Sequence, residues 1–174
     1  MTSYPIQSSR PPPGTSIEKA ASVDPSQDAE WQRLWLAIEA RPWRTLALIP
    51  AGEGASLNFT PLVAMVLSRI GMVHLGSPVQ VADATTVHLN QLTAFFNEVE
   101  RSTRLGERLL VALPPAGKNA VTAAIAKSTD AALLCIMNER MSPSSAKRTV
   151  SLIGPSRFLG SAIFHPHQIQ HAAG

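Results

Sequence analysis

Past residue 25 the chain alternates two kinds of pattern. Short runs are apolar almost without interruption: "TLALIP" (45–50), "VQVAD" (79–83), "RLLVALP" (108–114), "AALLCIM" (131–137) and "RFLGSAIF" (157–164). Runs of this length and continuity predict strands buried on both faces, as in a parallel sheet. Between them lie stretches with helical spacing. Phe59, Leu62, Val63, Val66, Leu67 and Ile70 form one stripe, with Pro61 in the first turn and Gly71 as the expected stop. Leu89, Leu92, Phe96 and Val99 form the next, then Val121, Ala124 and Ile125. A last stripe, Ala146, Val150 and Ile153, follows a cap at Ser142 or Ser144. Before the first strand, Trp31, Leu34, Trp35 and Ile38 recur at helical spacing, capped by Ser26 or Asp28 and ended by Pro42. Strand and helix in alternation predict a doubly wound, mostly parallel α/β sheet with helices on both faces.

Residues 1–25 break the pattern. They are rich in Pro, Ser and Thr, with "PPPG" in the middle, and predict a flexible tail. Residues 26–165 read as a single domain and 166–174 as a second tail. No internal repeat is present.

Composition narrows the function classes. Of the 174 residues, 45% are hydrophobic, enough for a sizeable core, and only 16% are charged, which suggests surface covered by a partner. The net charge of +3 is not gathered into a Lys/Arg run or a basic stripe interleaved with aromatics, so no nucleic-acid partner is indicated. The single cysteine, Cys135, allows no intrachain disulfide and sits in an apolar run as a small core residue. No apolar run reaches the ~18–20 residues that span a bilayer, and the N-terminus has no signal-type apolar core. The expectation is a soluble, cytoplasmic chain in a reducing compartment.

In a sheet of this kind ligands bind where strands end at their C-termini, near the reversal of strand order. The loop after the first strand, "PAGEGASL" (50–57), is the most suggestive. Gly52 and Gly54 allow N–H groups to converge on an anion at a helix N-terminus. Ser56 stands where a phosphate-binding loop places its magnesium hydroxyl, and Ala55 where it places its lysine. A tight β–α turn that merely needs glycines fits the same letters. After the third strand, "LPPAGKN" offers Lys118 as a substitute cation or as a solvated residue at a helix start. After the second, Asp83 could hold a metal-bound water or cap the next helix, with Thr85 and Thr86 beside it. His165, His167 and His171 could in number bind zinc, but Pro166 and the tail-like context speak against a formed site, and no metal is assigned. Glu30 and Arg33 stand one turn apart on the first helix, as a solvated or an interface pair.

Taken in order, these pieces resemble the P-loop domain of bacterial tyrosine kinases, the cytoplasmic partners of polysaccharide co-polymerases in the MinD/ParA-like branch of P-loop ATPases. The resemblance covers residues 28–165. "EWQRLWL" is similar to that family's E-x-x-R-x-x-R helix, with Leu36 at the last arginine. "IPAGEGAS" is similar to its P-G-E-G-K-S loop, so Gly52, Glu53, Gly54, Ala55 and Ser56 would be a vestigial nucleotide loop. "VQVADAT" places Asp83 nearest the Walker A′ aspartate. "LLVALPPAG" resembles the Walker B strand, with Ala112 in place of its aspartate. The family's C-terminal tyrosine cluster is missing, since the one tyrosine is Tyr4.

The resemblance with these losses implies a catalytically inactive protein with no bound cofactor beyond a vestigial ATP site. It would act in exopolysaccharide biosynthesis or export as a scaffold or regulator. The implied partner is a membrane polysaccharide co-polymerase or kinase subunit, which would hold it peripherally at the inner membrane. Self-association is also implied. Glu30, Trp31, Arg33 and Trp35 are the candidate interface, although both tryptophans could equally pack on the sheet. Two alternatives stand beside it. One is an active MinD/ParA-type ATPase in which Lys118 or a partner's lysine replaces the lost cation. The other is a module that binds an anion or a nucleotide monophosphate without catalysis.

Overall fold

The structure, a computed structural model, describes residues 24, 27–117, 119–138 and 142–166. Both predicted tails lie almost wholly outside these residues.

Five parallel strands form one sheet: β1 (Thr45–Pro50), β2 (Val79–Asp83), β3 (Arg108–Ala112), β4 (Ala131–Met137) and β5 (Phe158–Phe164), in the order β2-β3-β1-β4-β5. Both faces are covered. On one lie α1 (Ala29–Glu39) and α2 (Phe59–Leu75), on the other α3 (Leu92–Arg104), α4 (Ala120–Ser128) and α5 (Pro143–Ile153). Alternate residues of one strand serve opposite cores: Leu46 and Leu48 face α1 and α2, while Ala47 and Ile49 face α4 and α5. All four are fully buried, which is why β1 reads as an unbroken apolar run. β3 stops at Ala112, ahead of the predicted limit, because Pro114 and Pro115 cannot donate to a ladder.

Capping follows the local chemistry. The Asp28 carboxylate accepts from the Glu30 N–H at 2.8 Å, Asn119 Oδ1 from the Val121 N–H at 3.0 Å, and Ser142 Oγ from the Ser145 N–H at 3.3 Å.

Gly71 corrects an expectation. It does not end α2, which runs on to Leu75 and closes with Gly76 at φ +64°. Gly71 is instead a packing residue. A Cβ placed there would lie 2.5 Å from Trp35 Cη2 and 2.8 Å from Val79 Cγ2. Its missing side chain lets α2 approach both α1 and the start of β2.

The first helix supplies a second correction. Trp31 and Trp35 are 5% and 1% exposed. Trp31 packs on Phe164 with ring centroids 5.3 Å apart, and Trp35 meets Trp43 edge-on at 6.2 Å. The apolar stripe of α1 belongs to the core, so of the four candidate interface residues only Glu30 and Arg33 remain exposed. Trp43 Nε1 donates to the Ile38 carbonyl at 2.9 Å, and Arg108 pairs with Glu39 while lying 5.1 Å over the Trp43 ring. These contacts fasten the end of α1 to the start of β3.

Candidate functional site

The strand order sets where a ligand could sit. From β1 the chain crosses to β2 at the edge, returns to β3 beside β1, and then passes to β4 on the other side of β1. The loop after β1 leads to the α2 face, while those after β3 and β4 lead to the α4 and α5 face. The C-terminal end of β1 is therefore the switch point, where loops part and leave a crevice.

A crevice is present there. Gly52 and Glu53 form one wall, Pro115, Ala116 and Gly117 the second, and Ser145, Arg148, Thr149 and Leu152 of α5 the third. The walls are tied together. Thr149 Oγ1 donates to the Ala51 carbonyl at 3.3 Å, and Thr60 Oγ1 donates to the Leu113 carbonyl at 2.7 Å. Gly117 allows Glu53 to lie across the crevice, since a Cβ at Gly117 would sit 2.5 Å from Glu53 Oε1. The space open to water is about 40 Å³. One water needs about 10–15 Å³ on that measure, so the space within these walls has room for a few waters.

The loop itself departs from a phosphate cradle. Neither Gly52 nor Gly54 takes a positive φ, so these glycines do not supply an αR–αL alternation that would aim successive N–H groups at an anion. The helix begins only at Phe59, after Asn58, rather than at Ala55–Ser56. Ser56 is engaged in its own turn, its Oγ accepting from the Asn58 N–H at 3.3 Å and its carbonyl from the Phe59 N–H at 3.1 Å. The Ala55 side chain packs against the α1–α2 core and does not line the crevice. Gly54 is exposed and lies outside the crevice as well.

Asp83 is not brought to this place. It ends the edge strand β2, with β3 between it and β1. Its carboxylate accepts from the Thr85 N–H at 2.9 Å and the Thr85 hydroxyl at 2.6 Å, which makes it the anchor of a turn. Thr86 is exposed in that turn. Ala112, at the end of β3, is fully buried.

Lys118 lies outside the described residues, and so do His167 and His171. His165 stands 3.3 Å from Asn138 Nδ2 through its Nδ1. No cluster of three or more metal-ligating side chains occurs among the described residues. Cys135 is fully buried, and burial pushes its thiol up to about 12, so it is no nucleophile.

Arg148 is the crevice residue that the motif pattern does not mark. It stands on α5 at the wall of the crevice. Ser145, Arg148, Thr149 and Leu152 follow i, i+3, i+4 and i+7 spacing, one face of a helix. That face is readable in the sequence, but its meeting with Gly52 and Gly117 depends on the strand order.

No family model matches the sequence, and no curated protein matches it. Among solved structures there is a match. The chain is similar in fold to the chimerical protein CapA2B2. The TM-score is 0.60 at 10% identity, over 78% of this chain and 82% of that one. At that identity the likeness concerns fold alone. Among the described residues, no helix is long and apolar enough to cross a membrane.

Proposed function

We propose that the protein is a catalytically inactive relative of the bacterial tyrosine kinases that works as a scaffold or regulator of exopolysaccharide biosynthesis or export. It acts through protein contacts, with a membrane polysaccharide co-polymerase or a kinase subunit as the partner and the inner membrane as the place of work. The ordered sequence motifs and the doubly wound parallel sheet support the kinship. The observation that carries the loss of catalysis is the direction of Ala55, at the position of the resemblance's lysine, into the α1–α2 core. A charge-assisted phosphate contact contributes about 1.5–3 kcal/mol, and losing it weakens binding roughly tenfold to a hundredfold. The buried Ala112 in the place of the magnesium aspartate removes a second anchor.

The test has two arms. Purified protein incubated with labelled Mg-ATP should release and transfer no phosphate above a protein-free blank. The same protein should bind the cytoplasmic segment of its co-polymerase, and the joint substitution Glu30→Ala with Arg33→Ala should weaken that binding. Steady phosphate release would reject the inactive reading, and no binding to the segment would reject the partner.

A second reading has one observation in its favour. Arg148 and Ser145 stand at the wall of the crevice, and an anion or a nucleotide monophosphate could be held there without hydrolysis. Binding of inorganic phosphate or AMP by the wild type, lost in Arg148→Ala, would favour it.

A further inference from the structure

A second opening lies at the other end of the sheet, where β1 and β4 begin. On that face α3 rests on β3, while α4 rests on β1 and α5. Between α3 and the strand starts is a cleft of about 380 Å³, against about 40 Å³ in the switch-point crevice. Small-molecule sites commonly offer about 300–1,000 Å³. Phe96, Val99, Glu100 and Thr103 line one side, at the i, i+3, i+4 and i+7 spacing of a single helix face. Arg44, Thr45, Ser128 and Asp130 line the other. The apolar part of this lining is poorly covered by the protein itself. Ser102 is the one buried residue of α3, and Phe96 and Val99 are only half-buried.

The polar part can be sorted by what it has left to offer. The Thr103 hydroxyl donates to the Glu100 carbonyl at 2.9 Å, and the Ser128 hydroxyl to the Ile125 carbonyl at 2.7 Å. Each has spent its proton on its own helix, so each can only accept from a ligand. Asp130 Oδ2 accepts from the N–H groups of Arg44 and Thr45, both at 2.8 Å, and from the Thr45 hydroxyl at 3.1 Å. Oδ1 of the same carboxylate accepts from none of the described residues. Glu100 is already paired with Arg104 at 2.6 Å. Arg44 is exposed, and its guanidinium takes part in none of the described ion pairs. The cleft therefore offers three things side by side: acceptors for a cation, a guanidinium for an anion, and an apolar floor.

We infer that this cleft binds a free α-amino acid with an apolar side chain. The ammonium group would go to Asp130 Oδ1 and the hydroxyl oxygens, the carboxylate to Arg44, and the side chain to Phe96 and Val99. An α-amino acid holds its two charges on one carbon, which suits a carboxylate and an arginine that are neighbours in the lining. A simple amine leaves Arg44 unused, a simple carboxylate leaves the acceptors unused, and an inorganic ion has no use for the floor. The inference is independent of the proposed function, since the crevice lies at the opposite end of β1.

Isothermal titration of the full-length protein near neutral pH tests it, with L-phenylalanine and L-leucine as probes. Phenethylamine, 3-phenylpropanoate and glycine each lack one of the three groups. At least one of the two amino acids should bind. Phenethylamine and 3-phenylpropanoate should bind about tenfold more weakly or worse, because each loses a charge-assisted contact, and glycine should give no heat. In Arg44→Gln the exposed side chain changes while the backbone N–H bonded to Asp130 stays, so the melting temperature should not move. That variant should bind phenylalanine no better than the wild type binds phenethylamine, and its affinity for phenethylamine should be unchanged. No heat with either amino acid at millimolar concentration overturns the inference. So does equal affinity for phenylalanine and its two truncated analogues, or an equal loss of phenylalanine and phenethylamine in Arg44→Gln.

Discussion

Replacing Gly71 with alanine sets two effects of opposite sign against each other. Alanine in a helix interior is favoured over glycine by about 0.8–1.0 kcal/mol. The new methyl would lie 2.5 Å from Trp35 Cη2 and 2.8 Å from Val79 Cγ2, distances that no relaxed Cβ tolerates. Trp35 is 1% exposed and held edge-on against Trp43, so it has little room to withdraw. Overpacking of this kind costs about 1–3 kcal/mol, and contacts this short belong at the upper end. The net expectation is destabilisation by about 1–2 kcal/mol. At about 2–4 °C per kcal/mol for a chain of this size, the melting temperature should fall by roughly 2–8 °C. Urea denaturation read by tryptophan fluorescence measures the change, provided the m-value is unchanged. In a Trp35→Leu background the clash with the indole is relieved and the one with Val79 remains, so the alanine should cost clearly less than in the wild type. Gly71→Ala that stabilises the wild-type background would refute the account of α1 and α2 docking through a glycine.

Other parts of the structure carry their own expected outcomes. Native Cys135 should resist thiol reagents at pH 8 and react at once in denaturant, because burial pushes its thiol up to about 12; rapid native labelling would show that the β4 core opens. Burial raises the Asp130 carboxyl, but the N–H groups of Thr45 and Arg44, the Thr45 hydroxyl and the Arg44 charge together outweigh that and leave it below the ordinary carboxylate value. With the folded-state value depressed, its contribution is full above the unfolded pKa near ~3.9 and is lost as pH falls through the folded value; Asp130→Asn should therefore flatten the acid limb of the stability curve without shifting the plateau's shape near neutrality. Ala55→Lys should gain no nucleotide affinity, because position 55 faces the α1–α2 core rather than the crevice; titration with ADP checks it.

Most of the fold is legible in the letters because the central strands are buried on both faces. β1 and β4 occupy the predicted residues, since an unbroken apolar run leaves little freedom in placing its ends; β2 does so too, although it holds Gln80 and Asp83 and is only half-buried. Less is legible where one residue type serves two purposes. A glycine late in a helical stripe can be a stop or a packing gap, and only the position of Trp35 separates the two at Gly71. Tryptophans at helical spacing can face a partner or the sheet, and the rings of Phe164 and Trp43 decide it for Trp31 and Trp35. The site is the least legible. "GEGAS" gives the letters of a loop without the direction of its side chains, and the turn made by Ser56 and Asn58 directs Ala55 to the core. Arg148 reaches the crevice only because β4 lies beside β1, and strand order is not written in any local pattern.

Isothermal titration of the full-length protein with Mg-ATP and with ADP decides whether the switch-point crevice holds a nucleotide. No heat of binding is expected up to millimolar nucleotide, for the wild type and for Ala55→Lys alike. Micromolar binding by the wild type would contradict it, and would mean that the crevice opens and that another cation stands in for the missing lysine.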